Sequence, residues 1–372
     1  MGEKFGPDVF KLGFGLMRLP RLGDGSIDVE TLSEMVDLFL AAGGTYFDTA
    51  YVYTGSEEAT RKALVERYPR DAYTLCTKLV AWAHCHDEES AKAEFTTSLE
   101  RTGAGYFDYY LLHAIQQDNY KKYDDYHIWD YVRDLKERGL VKRWGFSFHA
   151  GPELLDQLLT EHPDVDFVQL QLNYADWENP GIQSRANYEV ARKHGKLITV
   201  MEPVKGGMLA DPPEKVKDLF QQADPAASAA SWAIRYVASL PGILTVLSGM
   251  TTVEQMRDNL SYMKDFRPLD EGEQAMIRRA QELMMGGKFV PCTDCRYCMP
   301  GCPQEIPIPE VFKSVNRYYQ LDQLEGARKD YARRLQDRSK ASDCIACGQC
   351  ESVCPQHLSI ISLLEESARL ME

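Results

Sequence analysis

Short apolar or β-branched runs recur along the first three-quarters of the chain, at 11–16, 45–49, 72–78, 107–113, 141–146, 166–171, 197–201 and 243–248. Between them lie stretches whose apolar residues return every three or four positions, at 29–42, 57–67, 88–101, 128–138, 152–160, 183–194, 225–239 and 253–263. The first set has the length and residue types of strands, and the second has the period of amphipathic helices. Two helical stretches run into glycine, at Gly139 and Gly195, which predicts left-handed C-terminal caps. Strand–helix alternation implies a parallel sheet. Eight such pairs in roughly 250 residues predict an α/β fold of the (β/α)8 TIM-barrel type. A doubly wound sheet would want a glycine-rich phosphate turn after an early strand. Gly13-Phe14-Gly15 is too short for that, and no P-loop is present.

The last quarter follows another pattern. Of ten cysteines, eight lie between Cys292 and Cys354. A helical stretch ends at Gly286-Gly287, and the expected domains are a barrel over 1–287 and a smaller, mainly helical unit over 288–372. The tail reads Cys292-x2-Cys295-x2-Cys298-x3-Cys302-Pro303 and again Cys344-x2-Cys347-x2-Cys350-x3-Cys354-Pro355. This is the spacing of bacterial ferredoxin motifs, in which three close thiolates wrap one cubane and the fourth reaches the other cluster. It predicts one 4Fe–4S cluster on Cys292, Cys295, Cys298 and Cys354, and a second on Cys344, Cys347, Cys350 and Cys302. Zinc also takes Cys-x2-Cys pairs and is the competing metal. The stretch 309–340 between the quartets is longer than in small ferredoxins and reads as helical. The tail thus resembles an inserted-helix variant of the two-cluster ferredoxin domain.

Composition narrows the function. The formal net charge is −14, and 44% of residues are hydrophobic. That apolar share supports a packed core rather than disorder. An acidic chain is a poor partner for nucleic acid or anionic lipid. No run reaches the roughly 18 apolar residues of a membrane helix, and residues 1–10 lack the apolar core of a signal peptide. The expectation is a soluble cytoplasmic protein, where cysteines serve as ligands or core residues rather than in disulfides. Cys76, inside a strand, reads as a small buried hydrophobe, and the run His84-Cys85-His86 reads as pocket mouth beside Trp82 rather than as a metal site.

In a barrel of this type chemistry sits at the C-terminal ends of the strands. The second strand ends at Asp48, with Tyr53 one loop away. The third ends at Lys78 and the fourth at His113. A carboxylate, a lysine and a histidine on successive strand ends suit proton transfer to a carbonyl oxygen. The ammonium would lower the phenol pKa of Tyr53, and the histidine would orient the carbonyl or share the proton.

These residues carry a resemblance to the aldo-keto reductases. It runs from about Lys11 to Tyr262 and rests on Phe47-Asp48-Thr49-Ala50 with Tyr53, on Thr77-Lys78-Leu79 and on Tyr110-Leu111-Leu112-His113. Trp144-Gly145-Phe146-Ser147, Gln169 and Asp258-Asn259 add to it. The resemblance implies that Tyr53 is the general acid, tuned by Lys78 and Asp48, with His113 orienting the carbonyl. It implies a nicotinamide cofactor near Met17, Arg18, Ser147, Gln169 and Met201, with its adenine end near Gly249, Gln255 and Asn259. The chain departs from the family pattern at Phe148, where Asn is usual, and at Met201, where an aromatic ring is usual. It also lacks Lys or Arg at Gly249 and Gln255. The expected cofactor is therefore NADPH or NADH, with flavin as an alternative.

The combined reading is an oxidoreductase that reduces a small aldehyde or ketone with NAD(P)H, fused to two 4Fe–4S clusters for electron transfer. A ferredoxin-type reductase is the alternative, with the clusters feeding a flavin or the substrate directly. A non-catalytic electron carrier or binding protein is a third reading. The expected partners are the carbonyl substrate and a ferredoxin or flavodoxin. The basic residues Arg328, Lys329, Arg333, Arg334 and Arg338 offer a docking face for such a carrier, or a solvated helix face.

Overall fold

The computed structural model describes residues 5–6, 9–83, 85–284, 288–321 and 324–372. Eight parallel strands close into a barrel in chain order. They are β1 (Leu12–Gly15), β2 (Tyr46–Asp48), β3 (Thr74–Leu79), β4 (Phe107–Ile115), β5 (Val141–Phe148), β6 (Phe167–Gln171), β7 (Leu197–Met201) and β8 (Ile243–Ser248). The helices of the first half are α1 (Val29–Ala41), α2 (Ser56–Thr60), α3 (Glu88–Thr102), α4 (Lys121–Asp125), α5 (Ile128–Glu137), α6 (Pro152–Glu161) and α7 (Ser184–Lys193). Then follow α8 (Glu214–Ala223), α9 (Ala229–Ala238), α10 (Val253–Met263), α11 (Glu271–Met284), α12 (Ile308–Leu321), α13 (Leu324–Arg334), α14 (Gln349–Ser352) and α15 (Ile360–Met371).

Strand side chains alternate with period two, and that alternation positions the chemistry. Tyr46, Cys76, Tyr109, Leu111 and Phe167 pack together as one buried cluster. Tyr46 and Tyr109 have ring centroids 4.7 Å apart, and Phe167 meets Tyr109 edge-on at 5.4 Å. Two residues further along each strand, the same face presents Asp48, Lys78 and His113. An apolar floor thus gives way to polar groups toward the C-terminal rim. Cys76 is fully buried in that floor, as its strand position predicts.

Helix starts are set by short polar caps. The Asp28 carboxylate accepts from Thr31 N at 3.0 Å before α1. Asp87 and Ser90 form a reciprocal capping box before α3. Gly139 and Gly195 follow α5 and α7 with φ of 72° and 70°, the predicted left-handed caps.

The structure differs from the periodicity in places. The helix expected over 57–67 is α2 running into a π-helical turn, Arg61–Val65. The helix expected over 225–239 starts later, at Ala229, and Pro225 separates it from α8. α4, α8 and α15 carry no separate expectation.

The chain divides into two compact units. The first comprises Met1–Asn179, Gln183–Pro203 and Ala230–Leu269, and the second Pro180–Ile182, Val204–Ala229 and Asp270–Glu372. The Gly286-Gly287 pair, read as the domain boundary, lies outside the described residues. Within the second unit α8 packs on α11, and α12 packs on α13 and α15. Val311, Phe312, Val315, Tyr331, Leu335, Ile360 and Leu364 form its buried core, with Cys298, Cys350 and Cys354 at the edge. Gly206 meets the first cysteine loop here. A Cβ at Gly206 would lie 2.6 Å from Thr293 Cα, and its φ is 66°. Only glycine allows that approach. Among the described residues, no helix is long and apolar enough to cross a membrane.

Candidate active site

At the rim of the barrel, Lys78 is fully buried, and its Nζ donates to Asp48 Oδ2 at 2.6 Å and to Thr49 O at 2.6 Å. The same Nζ lies 5.0 Å from the centroid of the Tyr53 ring. Tyr53 in turn meets His113 edge-to-face, centroids 5.7 Å apart. The four residues expected from the strand ends are therefore together. Tyr53 sits in a tight turn, in which Tyr53 N donates to Ala50 O and Ser56 N donates to Tyr53 O. Beneath it the Ser56 hydroxyl donates to Leu16 O at 2.8 Å. Glu57 accepts from the Thr77 hydroxyl at 2.7 Å and pairs with Arg101 at 3.3 Å.

The electrostatics correct one expectation. The Tyr53 phenol is not lowered; its pKa stands well above 10. The close protein surroundings are the main cause, the Asp48 and Glu202 carboxylates add to it, and Arg18 opposes it. Burial also pushes the Asp48 carboxyl up, against the Lys78 charge. The His113 imidazole is held well below 6.5 by burial, with Lys78 and His149 adding to the effect. At neutral pH it is the uncharged ring.

The residues expected at the cofactor spread around the same rim. Gln169 is buried, and its Nε2 approaches Met201 Sδ at 3.7 Å, while its Oε1 has no hydrogen-bond partner among the described residues. Asn259 in α10 is buried, and its Oδ1 likewise has none. The Ser147 hydroxyl accepts from Ala114 N at 2.7 Å, beside His113. Arg18 pairs with Glu202 at 3.5 Å, and its carbonyl accepts from the Thr251 hydroxyl at 3.1 Å. Met17 is half-buried. Gly249 is exposed. Gln255 Oε1 accepts from Thr251 N at 2.7 Å and so folds the β8–α10 loop. Arg257, the cation of that helix's second turn, pairs with Glu34 at 3.2 Å. His84 lies outside the described residues. Cys85 donates to Val80 O at 3.1 Å and to Glu94 at 3.3 Å. Glu94 was not singled out from the sequence. It is buried, accepts from Val80 N at 2.7 Å, and burial raises its carboxyl to about 8.

In the second unit, Cys302, Cys344, Cys347 and Cys350 line one cavity together with Pro303, Ile306 and Ile361. Burial pushes the Cys292 and Cys298 thiols up, and nearby Cys354 adds to it. Cys350, which lines the cavity, also lies near Cys298. Among the described residues no three His, Cys, Asp or Glu side chains converge on a single ion. The basic tail segment is partly tied up: Arg333 and Arg334 pair with Asp330 at 2.6 Å, and Arg328 Nε donates to Leu370 O at 2.9 Å.

With this geometry in hand, comparison with known proteins is decisive. The profile of the Aldo/keto reductase family matches residues 11–282. The chain belongs to the aldo/keto reductase family. A 4Fe-4S dicluster domain profile matches residues 291–358. An aldo-keto reductase of Mycolicibacterium smegmatis is 28% identical over 209 residues, which is 56% of this chain and 69% of that protein. Aldo-keto reductase str7 of Strobilurus tenacellus is 30% identical over 212 residues, 54% of this chain and 60% of that protein. An aldo/keto reductase of Klebsiella pneumoniae, solved in complex with NADP and acetate, superposes with a TM-score of 0.59 at 21% identity, covering 74% of this chain and 93% of that one. As an aldo/keto reductase this chain is an oxidoreductase, with an iron–sulfur domain after the barrel.

Proposed function

We propose that the protein reduces a small aldehyde or ketone with a nicotinamide dinucleotide at the barrel rim, and that its eight tail cysteines hold two 4Fe–4S clusters. The buried Lys78–Asp48 pair under Tyr53, with neutral His113 edge-on to the phenol, carries this reading. Gln169 Oε1 and Asn259 Oδ1, without a partner among the described residues, fit a dinucleotide, since each is a buried acceptor: the nicotinamide amide N–H could satisfy the first and the adenine amino group the second. The dinucleotide would supply hydride. The protein's own part is proton delivery and orientation. His113, uncharged, donates a hydrogen bond to the substrate oxygen, and Tyr53 gives up its proton as that oxygen gains charge. A raised phenol pKa does not block this step, because an alkoxide is a far stronger base than a phenolate. Lys78 then stabilises the phenolate through space.

In the tail, Cys292, Cys295, Cys298 and Cys354 would hold one cluster, and Cys302, Cys344, Cys347 and Cys350 the other. A hydride moves two electrons together, whereas such a cluster exchanges one at a time. If the clusters share in turnover, a flavin or a radical-tolerant substrate must stand between. Purification without air, followed by iron, flavin and nicotinamide assays, tests the proposal. Reduction of 4-nitrobenzaldehyde by NADH or NADPH without flavin supports it. Bound flavin, with clusters bleached by substrate and no use of nicotinamide, replaces it with the ferredoxin-type reductase.

A further inference from the structure

Strand β4 is irregular just where its functional residue stands. Leu112 pairs with Phe146 and Ile115 with Phe148, so β4 spends one residue more than β5 over this step. This is a β-bulge. Ala114, inside it, has φ of 54°, a left-handed conformation costly for a residue with a Cβ. A bulge of this kind persists only when its surroundings over-determine it.

They do so through side chains. The His113 carbonyl accepts from Tyr123 Oη at 2.5 Å and from Trp82 Nε1 at 3.1 Å. Ala114 N donates to Ser147 Oγ at 2.7 Å, and Ala114 O accepts from Asn119 Nδ2 at 3.0 Å. Asn119 Oδ1 in turn accepts from Gln116 N at 2.8 Å. Tyr123 is fully buried. The peptide that links His113 to Ala114 is thus held by three side chains, Trp82, Tyr123 and Ser147, and Asn119 holds the next carbonyl. None of these contacts reaches the imidazole itself. They set the plane from which it projects toward Tyr53.

We propose that Trp82, Tyr123, Ser147 and Asn119 are positioning residues, which lock the His113–Ala114 peptide in its left-handed bulge and thereby aim the imidazole at the substrate oxygen. This rests on the reading of the rim as a carbonyl-reducing site. It goes beyond that reading in two respects. It gives Trp82 a role other than pocket lining. It also gives Ser147 two faces: its oxygen accepts from the bulge, and its own proton stays available to a cofactor amide. Cofactor seating and histidine aim would then share one hydroxyl.

Two variants test the lock. Tyr123→Phe removes one donor and keeps the ring. Trp82→Phe removes the other donor to the same carbonyl and keeps an aromatic ring. The measurements are kcat and KM for 4-nitrobenzaldehyde, a thermal melt, and the imidazole nitrogen resonances of His113 followed against pH. Groups facing that ring are the Lys78 ammonium, His149 and the Tyr53 phenol. With either donor removed, kcat falls about tenfold while KM stays within about twofold. The His113 titration moves back toward 6.5 as the ring gains solvent, and each variant still melts as a folded protein. A His113 resonance and titration unchanged in both variants overturns the proposal. So does a kcat loss in Tyr123→Phe that leaves the His113 resonance unmoved. Should the wild type reduce no carbonyl probe, the functional reading fails, and the His113 resonance still decides the lock.

Discussion

In the barrel the reactive side chains stand on the ends of hydrogen-bonded parallel strands, whereas in the second unit the tail cysteines stand in turns and loops, with Cys350 in the short helix α14. Asp48, Lys78 and His113 are placed by strand register and by period-two alternation above a floor of Tyr46, Cys76 and Tyr109. Their geometry is therefore complete in the polypeptide alone. The cysteine loops have no ladder of their own. Cys302, Cys344, Cys347 and Cys350 surround a cavity with Ile306, Ile308 and Ile361, and Cys298, Cys350 and Cys354 pack at the edge of the helical core. A site on a sheet is preorganised by the fold, while a site on loops is organised by what it binds.

Removing iron is the strongest way to test that contrast. Metal binding can supply on the order of 10 kcal/mol of folding energy to a small domain. Chelation should raise hydrogen exchange across 291–305 and 341–358 while the barrel amides stay protected. Equal loss in β2–β4 would erase the distinction. Next in size is Lys78→Met, which leaves the Asp48 carboxylate buried without its partner. It should cost about 3–5 kcal/mol in denaturant unfolding. The double variant with Asp48→Asn should recover much of that loss. Tyr53→Phe should lower carbonyl reduction at least about a hundredfold, with the visible spectrum of the clusters unchanged. A residual rate near wild type would deny Tyr53 the role of acid.

The most gradual effect concerns pH, spread over several units. Glu94 is raised to about 8 in the folded chain, above its unfolded value. The folded state therefore holds a proton that the unfolded state has released. Its contribution to stability is full below the unfolded pKa and is lost as pH rises toward 8. The slope is at most about 1.4 kcal/mol per pH unit. Glu94→Gln should flatten this slope in melts between pH 5 and 8. If the barrel alone carries it, chelated protein should show the same flattening.

The eight strands were legible because apolar runs and glycine caps are local signals, and the cysteine quartets because ligand spacing is written directly in the chain. The break of α2 into a π-helical turn was not, since nothing in Arg61–Val65 marks it. The Tyr53 pKa was misjudged because a count of neighbouring charges omits desolvation and the Asp48 counter-charge. The lock on His113 was invisible for a related reason. Ala114 is an alanine in a glycine-like conformation, and its holders Tyr123 and Asn119 act on backbone atoms that no side-chain pattern reveals. Gln169 and Asn259 were found by resemblance, and both lie buried with an oxygen that has no partner among the described residues.

Of the eight tail cysteines, only Cys347 is exposed. Any inorganic core it anchors meets dissolved dioxygen there first, so corrosion should begin at that corner and spare the quartet of Cys298 and Cys354 longer. A preparation left in air would then fade in two stages, and the depth of its brown colour would record how long it had stood on the bench.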